Sequence, residues 1–135
     1  MTRVFFYGLF MDRELLLDKG FHPANVQLAK LPGFQLKIGE RATLLESAKS
    51  CCYGTVMDLD QSELNKLYAG DGVEDYDPIK VEALSLNGDT LESVSYTLSI
   101  DKLSGSNSEY ARKLALVARK LELPRDYIDE IEKWM

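Results

Sequence analysis

The sequence predicts an α+β fold: a small, mixed, largely antiparallel and bulged β-barrel with flanking helices. Three observations carry this expectation. Short β-prone runs recur from Thr2 to Leu98, and turn signals join them more often than regular strand–helix alternation does. Asn87-Gly88, set between two apolar arms, is a strong hairpin signal. The segment after Leu98 carries two amphipathic helical stretches with recognisable starts. Several curved strands of this kind close naturally into a small barrel.

The elements follow in order. Thr2 to Tyr7 is an apolar run ended by Gly8, which reads as a buried first strand. Met11 to Asp18 sets Leu15, Leu16 and Leu17 among charges and reads as a short helix. Val26 to Leu31 and Phe34 to Ile38 read as two strands joined by a Pro32-Gly33 turn. Cys51 to Leu59 is a further strand, and Gly54 inside it marks a bulge or a close backbone approach. Asp60 as N-cap, Glu63 three residues on, and a Leu59–Leu64 staple start a helix that shows Leu64, Leu67 and Tyr68 on one side and stops at Gly70.

Ile79 to Leu86 and Leu91 to Leu98 form the hairpin arms. Ile79 and Val81 alternate with Lys80 and Glu82, but Leu84 and Leu86 fall on the other phase, so a bulge is expected near Ala83. Ser106 with Glu109 reads as a capping box for a helix to about Glu122, burying Tyr110, Leu114, Val117 and Leu121 with Ala111, Ala115 and Ala118 between them. Pro124 opens a last helix with Tyr127, Ile128, Ile131 and Trp134 on one face.

A chain of 135 residues, 45% hydrophobic and 28% charged, is expected to form one domain over residues 1–135. Its net charge of −6 argues against a broad basic surface for nucleic acid or anionic membrane. The apolar start is broken by Asp12, Arg13 and Glu14, too soon for a signal-peptide core or a bilayer span, so a cytoplasmic location is expected. Adjacent Cys51 and Cys52 suit two strand residues on opposite faces, one buried and one not, and not a bridge. With one histidine, His22, and no C-x-x-C spacing, neither a metal site nor a histidine-based nucleophile is expected.

Two segments carry groups suited to chemistry. Tyr7-Gly8-Leu9-Phe10 turns from a strand end into a helix, where the first backbone N–H groups lack internal partners and can face an anion. Gly70-Asp71-Gly72-Val73-Glu74-Asp75-Tyr76-Asp77 packs four carboxylates into one helix-to-strand connection, any of which can serve as a general base at a barrel mouth. Each segment, taken singly, also suits a plain turn.

Taken in order, the segments resemble the γ-glutamylcyclotransferase-like superfamily. The Tyr7-Gly8-Leu9-Phe10 strand end, Pro32-Gly33-Phe34 before Arg41-Ala42-Thr43-Leu44, and Tyr53-Gly54-Thr55-Val56-Met57-Asp58-Leu59 fall where that family has its counterparts. So do Leu67-Tyr68-Ala69-Gly70-Asp71-Gly72-Val73 with Tyr76, then Ser108-Glu109-Tyr110, Ala118 and Leu123-Pro124-Arg125-Asp126-Tyr127-Ile128. The resemblance spans nearly the whole chain.

It implies conversion of a γ-glutamyl amine or peptide to 5-oxoproline and a free amine by intramolecular acyl transfer. Asp71 would be the base, with Glu74 second. Tyr7, Gly8, Leu9, Phe10 and Tyr76 would hold the substrate, and no metal or organic cofactor would be needed. The implied partner is a small γ-glutamyl compound, with neither nucleic acid nor membrane. Two positions depart from the family. Asp71 stands where the family has glutamate, and Leu9-Phe10 replace small polar residues. A binding protein for a small amide or a protein partner is the alternative implied by those departures.

Overall fold

The computed structural model describes residues 1–70 and 72–135. Val4, Phe5 and Phe6 are all buried, so β1 (Thr2–Phe6) is covered on both faces, as an unbroken apolar run requires. Among the described residues, β1, β2 (Ala24–Ile38), β3 (Ala42–Leu59), β4 (Asp77–Ser85) and β5 (Thr90–Thr97) close into a barrel in the order β1-β3-β2-β4-β5. Its strand pairs are antiparallel except β1 with β5, which run parallel and meet at Val4 and Val94. The expected mixed, largely antiparallel barrel is the fold.

Three strand details differ from the sequence expectation. Pro32-Gly33 is not a turn between two strands; it is an irregularity inside the single strand β2. Gly33 takes a positive φ of 85°, and the partner register jumps from Pro32↔Cys51 to Phe34↔Glu46, so β3 carries the surplus residues opposite. β3 itself begins at Ala42, well before Cys51: Ala42–Glu46 pair with Ile38 back to Phe34, and Ser47–Ser50 are the surplus residues, with no partner in this register. No bulge forms at Ala83 either: the β4–β5 register runs unbroken from Asp77↔Thr97 to Leu84↔Thr90. Val81, Ala83 and Ser85 are the buried side of β4, while Leu86 lies past its end, exposed. In β5 the serines take the covered side. Ser93 and Ser95 are buried and donate to the Leu91 and Phe5 carbonyls, whereas Val94 and Tyr96 are only partly covered.

The helices sit against this barrel. A 3-10 turn (Leu9–Met11) leads into α1 (Arg13–Asp18), whose N-cap Asp12 accepts from the Glu14 N–H. α2 (Gln61–Leu67) follows Asp60, but the Asp60 side chain makes no capping bond, and Glu63 instead accepts from the His22 N–H at 2.8 Å. α3 (Ser108–Lys120) is capped by Asn107, which accepts from the Tyr110 N–H at 2.9 Å, so the cap is one residue later than Ser106. Its most buried residues are Ala111, Leu114, Ala115 and Ala118, small side chains that let the helix lie close. α4 (Arg125–Glu132) buries Tyr127, Ile128 and Ile131, and Trp134 lies beyond its end, partly exposed.

Cys52 is fully buried within 3.2 Å of the Tyr127 hydroxyl and Cys51 is half-buried; both are free thiols. Among the described residues, no helix is long and apolar enough to cross a membrane.

Candidate functional site

The site begins where β1 ends. Gly54 of β3 lies so close to the Phe6 carbonyl that no side chain fits between them, which brings the chain after Phe6 hard against the barrel wall. Gly8 then turns the chain, and a Cβ there would stand 2.6 Å from the Tyr110 hydroxyl. In the 3-10 turn the Met11 and Asp12 N–H groups donate back to the Gly8 and Leu9 carbonyls at 3.0 and 3.1 Å. The Gly8 and Phe10 N–H groups have no backbone partner among the described residues.

These residues form one wall of a cavity of about 230 Å³. The β2–β3 turn contributes Glu40 and Arg41 and the start of β3 Ala42, the connection after α2 contributes Tyr68, Gly72, Val73 and Tyr76, and Tyr96 and Tyr110 close it from β5 and α3. Five of the chain's seven tyrosines therefore face one small space.

The aromatic wall is fixed by mutual packing. Tyr68 stacks on Tyr96 at 3.9 Å between ring centres, and Phe10 meets Tyr68 edge-on at 5.9 Å and Phe6 edge-on at 6.1 Å. Two hydroxyls tie strands together: Tyr7 donates to the Tyr96 carbonyl at 2.7 Å and Tyr76 to the Ala42 carbonyl at 2.5 Å. Nearby, buried Thr43 donates to the Leu98 carbonyl at 2.6 Å and accepts the Leu98 N–H at 2.8 Å.

Burial pushes the Tyr7, Tyr68 and Tyr110 phenols far above their ordinary range, and neighbouring phenols add to the effect. Tyr76 is pushed up to about 12 by burial, with Arg41 pulling the other way. At neutral pH these four phenols are uncharged, so they supply hydrogen bonds and surface but no base. Glu40 is the one carboxylate side chain among the described residues that line the cavity.

Tyr7, Gly8, Leu9, Phe10 and Tyr76, separated by up to sixty-nine positions in sequence, all line this one cavity. Glu74 is exposed and does not line it. Asp71 lies outside the described residues; Gly72, next in sequence, lines the cavity. Arg41, Tyr68, Tyr96 and Tyr110 line it too and were not singled out from the sequence as site residues. The signal available for the three tyrosines was tyrosine content, since a buried phenol needs a partner for its O–H. Among the described residues, no three His, Cys, Asp or Glu side chains converge on a metal-sized space.

The model of the AIG2-like family matches residues 51–131, more than half of the chain. The chain belongs to the AIG2-like family. Solved structures with the same fold include a γ-glutamyl cyclotransferase at 22% identity, TM-score 0.82, with 99% of this chain and 88% of that one covered. A yeast γ-glutamyl cyclotransferase specific to glutathione is 15% identical with a TM-score of 0.71, over 98% of this chain and 94% of that one. An AIG2-like protein from mouse is 20% identical with a TM-score of 0.61, over 81% of this chain and 90% of that one. Among curated protein sequences none matches this AIG2-like chain. Its fold is thus the γ-glutamylcyclotransferase-like barrel, which agrees with the resemblance carried by its ordered motifs.

Proposed function

We propose that this chain converts a γ-glutamyl amine or peptide into 5-oxoproline and a free amine, with Asp71 as the base. The observation that carries the reading is convergence. The Tyr7–Phe10 strand end, Tyr76 and the residue following Asp71 all border one cavity, which is smaller than the roughly 300–1,000 Å³ typical of drug-sized ligands and so suits a small substrate.

The chemistry needs little beyond positioning. The substrate's α-ammonium gives a proton to the carboxylate, because a free α-amine has a pKa of about 7.7–8.0 and is mostly protonated near neutrality. The amine nitrogen then bonds to the γ-carbonyl carbon, the carbonyl oxygen takes up negative charge, and the Gly8 and Phe10 N–H groups are the donors available to it. Collapse breaks the bond to the leaving nitrogen, which receives the proton held by the carboxylate. No water is consumed. The reaction is intramolecular, so a cavity walled by interlocked rings acts chiefly by holding the folded substrate in its reactive shape.

The test is incubation with a panel of γ-glutamyl amines and peptides, measuring 5-oxoproline. Turnover by the unmodified protein and its loss in Asp71→Asn is the expected result. Full activity in Asp71→Asn, or none across the panel, overturns the proposal. A second reading, binding of a small amide without turnover, is favoured by one observation: Leu9 and Phe10 make the loop wall apolar, with the Phe10 ring wedged between Phe6 and Tyr68. It requires a ligand-induced rise in melting temperature with no product.

A further inference from the structure

Arg41 is the one cation among the described residues that line the cavity, in a wall otherwise made of aromatic and aliphatic side chains, backbone and Glu40. Its guanidinium is held in place. Nη1 donates to the Gly72 carbonyl at 3.3 Å and lies 3.5 Å from an Asp75 carboxylate oxygen, and the group sits over the Tyr76 ring at 6.0 Å. Tyr76 is itself clamped to the carbonyl of Ala42, the residue after Arg41. Platform and cation thus form one unit.

Nη1 makes both of those contacts. Nη2 and Nε, with three of the five N–H donors, bond to no described residue. Glu40 makes no ion pair with Arg41 among the described residues; its side chain packs against Gly105 instead. The Arg41 side chain is 31% exposed, so a solute can reach it. A planar fork, held by these contacts at the cavity wall, matches a carboxylate, which accepts two parallel N–H bonds.

We infer that Arg41 is the carboxylate-reading residue of this cavity and determines which γ-glutamyl compounds are used. The inference rests on the cyclotransferase reading above. A γ-glutamyl peptide offers two carboxylates, the glutamyl α-carboxylate and that of the departing amino acid. Arg41 takes one of them, while the backbone N–H groups of the Tyr7–Phe10 loop remain for the other groups.

The experiment compares release of free amine from γ-glutamyl-alanine, from γ-glutamyl-ethylamine, which lacks the leaving-group carboxylate, and from the α-carboxamide of γ-glutamyl-ethylamine, which lacks both. Each is measured with the unmodified protein, Arg41→Gln and Arg41→Lys. One carboxylate is expected to be worth about tenfold or more in kcat/KM to the unmodified protein, the lower end of what a hydrogen bond to a charged group supplies. That advantage is expected to collapse in Arg41→Gln and to survive in part in Arg41→Lys. The step at which it collapses identifies the carboxylate.

Equal kcat/KM for all three compounds in the unmodified protein overturns the inference without recourse to any variant. A tenfold advantage that Arg41→Gln leaves intact, or a uniform loss across all three compounds in both variants, overturns it as well. Failure of the unmodified protein to release amine from any of the three is a different result, and it removes the cyclotransferase reading itself.

Discussion

Replacing Gly54 by alanine tests the account of how the site is held. A Cβ built there falls inside the contact radius of the Phe6 carbonyl oxygen, 3.0 Å from its carbonyl carbon and 3.2 Å from the Phe5 ring. The nearest atoms are backbone of the neighbouring strand, not the end of a flexible side chain, so relief requires β1 and β3 to separate. Overpacking usually costs about 1–3 kcal/mol, and a clash with paired backbone belongs at the top of that range, about 3 kcal/mol. For a chain of this length that lowers Tm by roughly 10 °C. Because the displaced carbonyl belongs to the last residue of β1, the Tyr7–Phe10 loop moves with it, and kcat/KM is expected to fall further than stability alone explains. Thermal melts followed by circular dichroism, with turnover measured well below Tm, read both effects. A Gly54→Ala protein melting within about 2 °C of the unmodified one would refute the close approach, given that about 3 kcal/mol is the expected cost.

Three other outcomes follow from the same geometry. Thr43→Val removes a buried hydroxyl and strands both the N–H and the carbonyl of Leu98, a loss of about 2–3 kcal/mol in urea unfolding. Asn107→Ala costs about 1 kcal/mol through loss of the α3 cap, whereas Ser106→Ala leaves the urea midpoint unchanged. Stability is expected to be level from pH 7 to 9 and to drop by pH 11, read from the urea midpoint. Tyr76 holds its proton up to about 12 when folded, above the ~10 of an exposed phenol, so its contribution is intact below ~10 and disappears as pH rises toward 12. Tyr7, Tyr68 and Tyr110 shift in the same direction and steepen the fall.

The fold was legible where local signals act alone. Asn87-Gly88 lies in the turn of the β4–β5 hairpin: the Gly88 N–H donates to the Ser85 carbonyl at 2.9 Å, and Gly88 takes the positive φ of 89° that glycine tolerates. Sequence reasoning went astray where a partner strand decides the outcome. Pro32-Gly33 has turn chemistry, yet β3 runs past it and absorbs the irregularity as surplus residues, so the strand continues. Leu84 and Leu86 suggested a bulge, but β4 buries Ser85 in phase with Val81 and Ala83, its hydroxyl accepting the Asp89 N–H, and Leu86 lies past the strand's end.

That the Tyr7–Phe10 loop and Tyr76 meet at one cavity was readable because they sit in short ordered motifs. The place of Arg41 at the cavity was not, since it is set by contacts with Gly72, Asp75 and Tyr76 more than thirty positions away.

The parallel seam between β1 and β5 has a consequence for how the protein assembles. Hairpins β2–β3 and β4–β5 join chain segments that are near neighbours, whereas Val4 must find Val94, and Ser95 reaches the Phe5 carbonyl across ninety positions. Closing so long a loop is the slowest kind of contact to form, so the seam is expected to knit last. The cavity spans that seam, with Tyr7 on one side bonded to Tyr96 on the other. A chain with both hairpins formed therefore still lacks its cavity, and an occupant of that cavity would act as a clasp on the last part of the barrel to close.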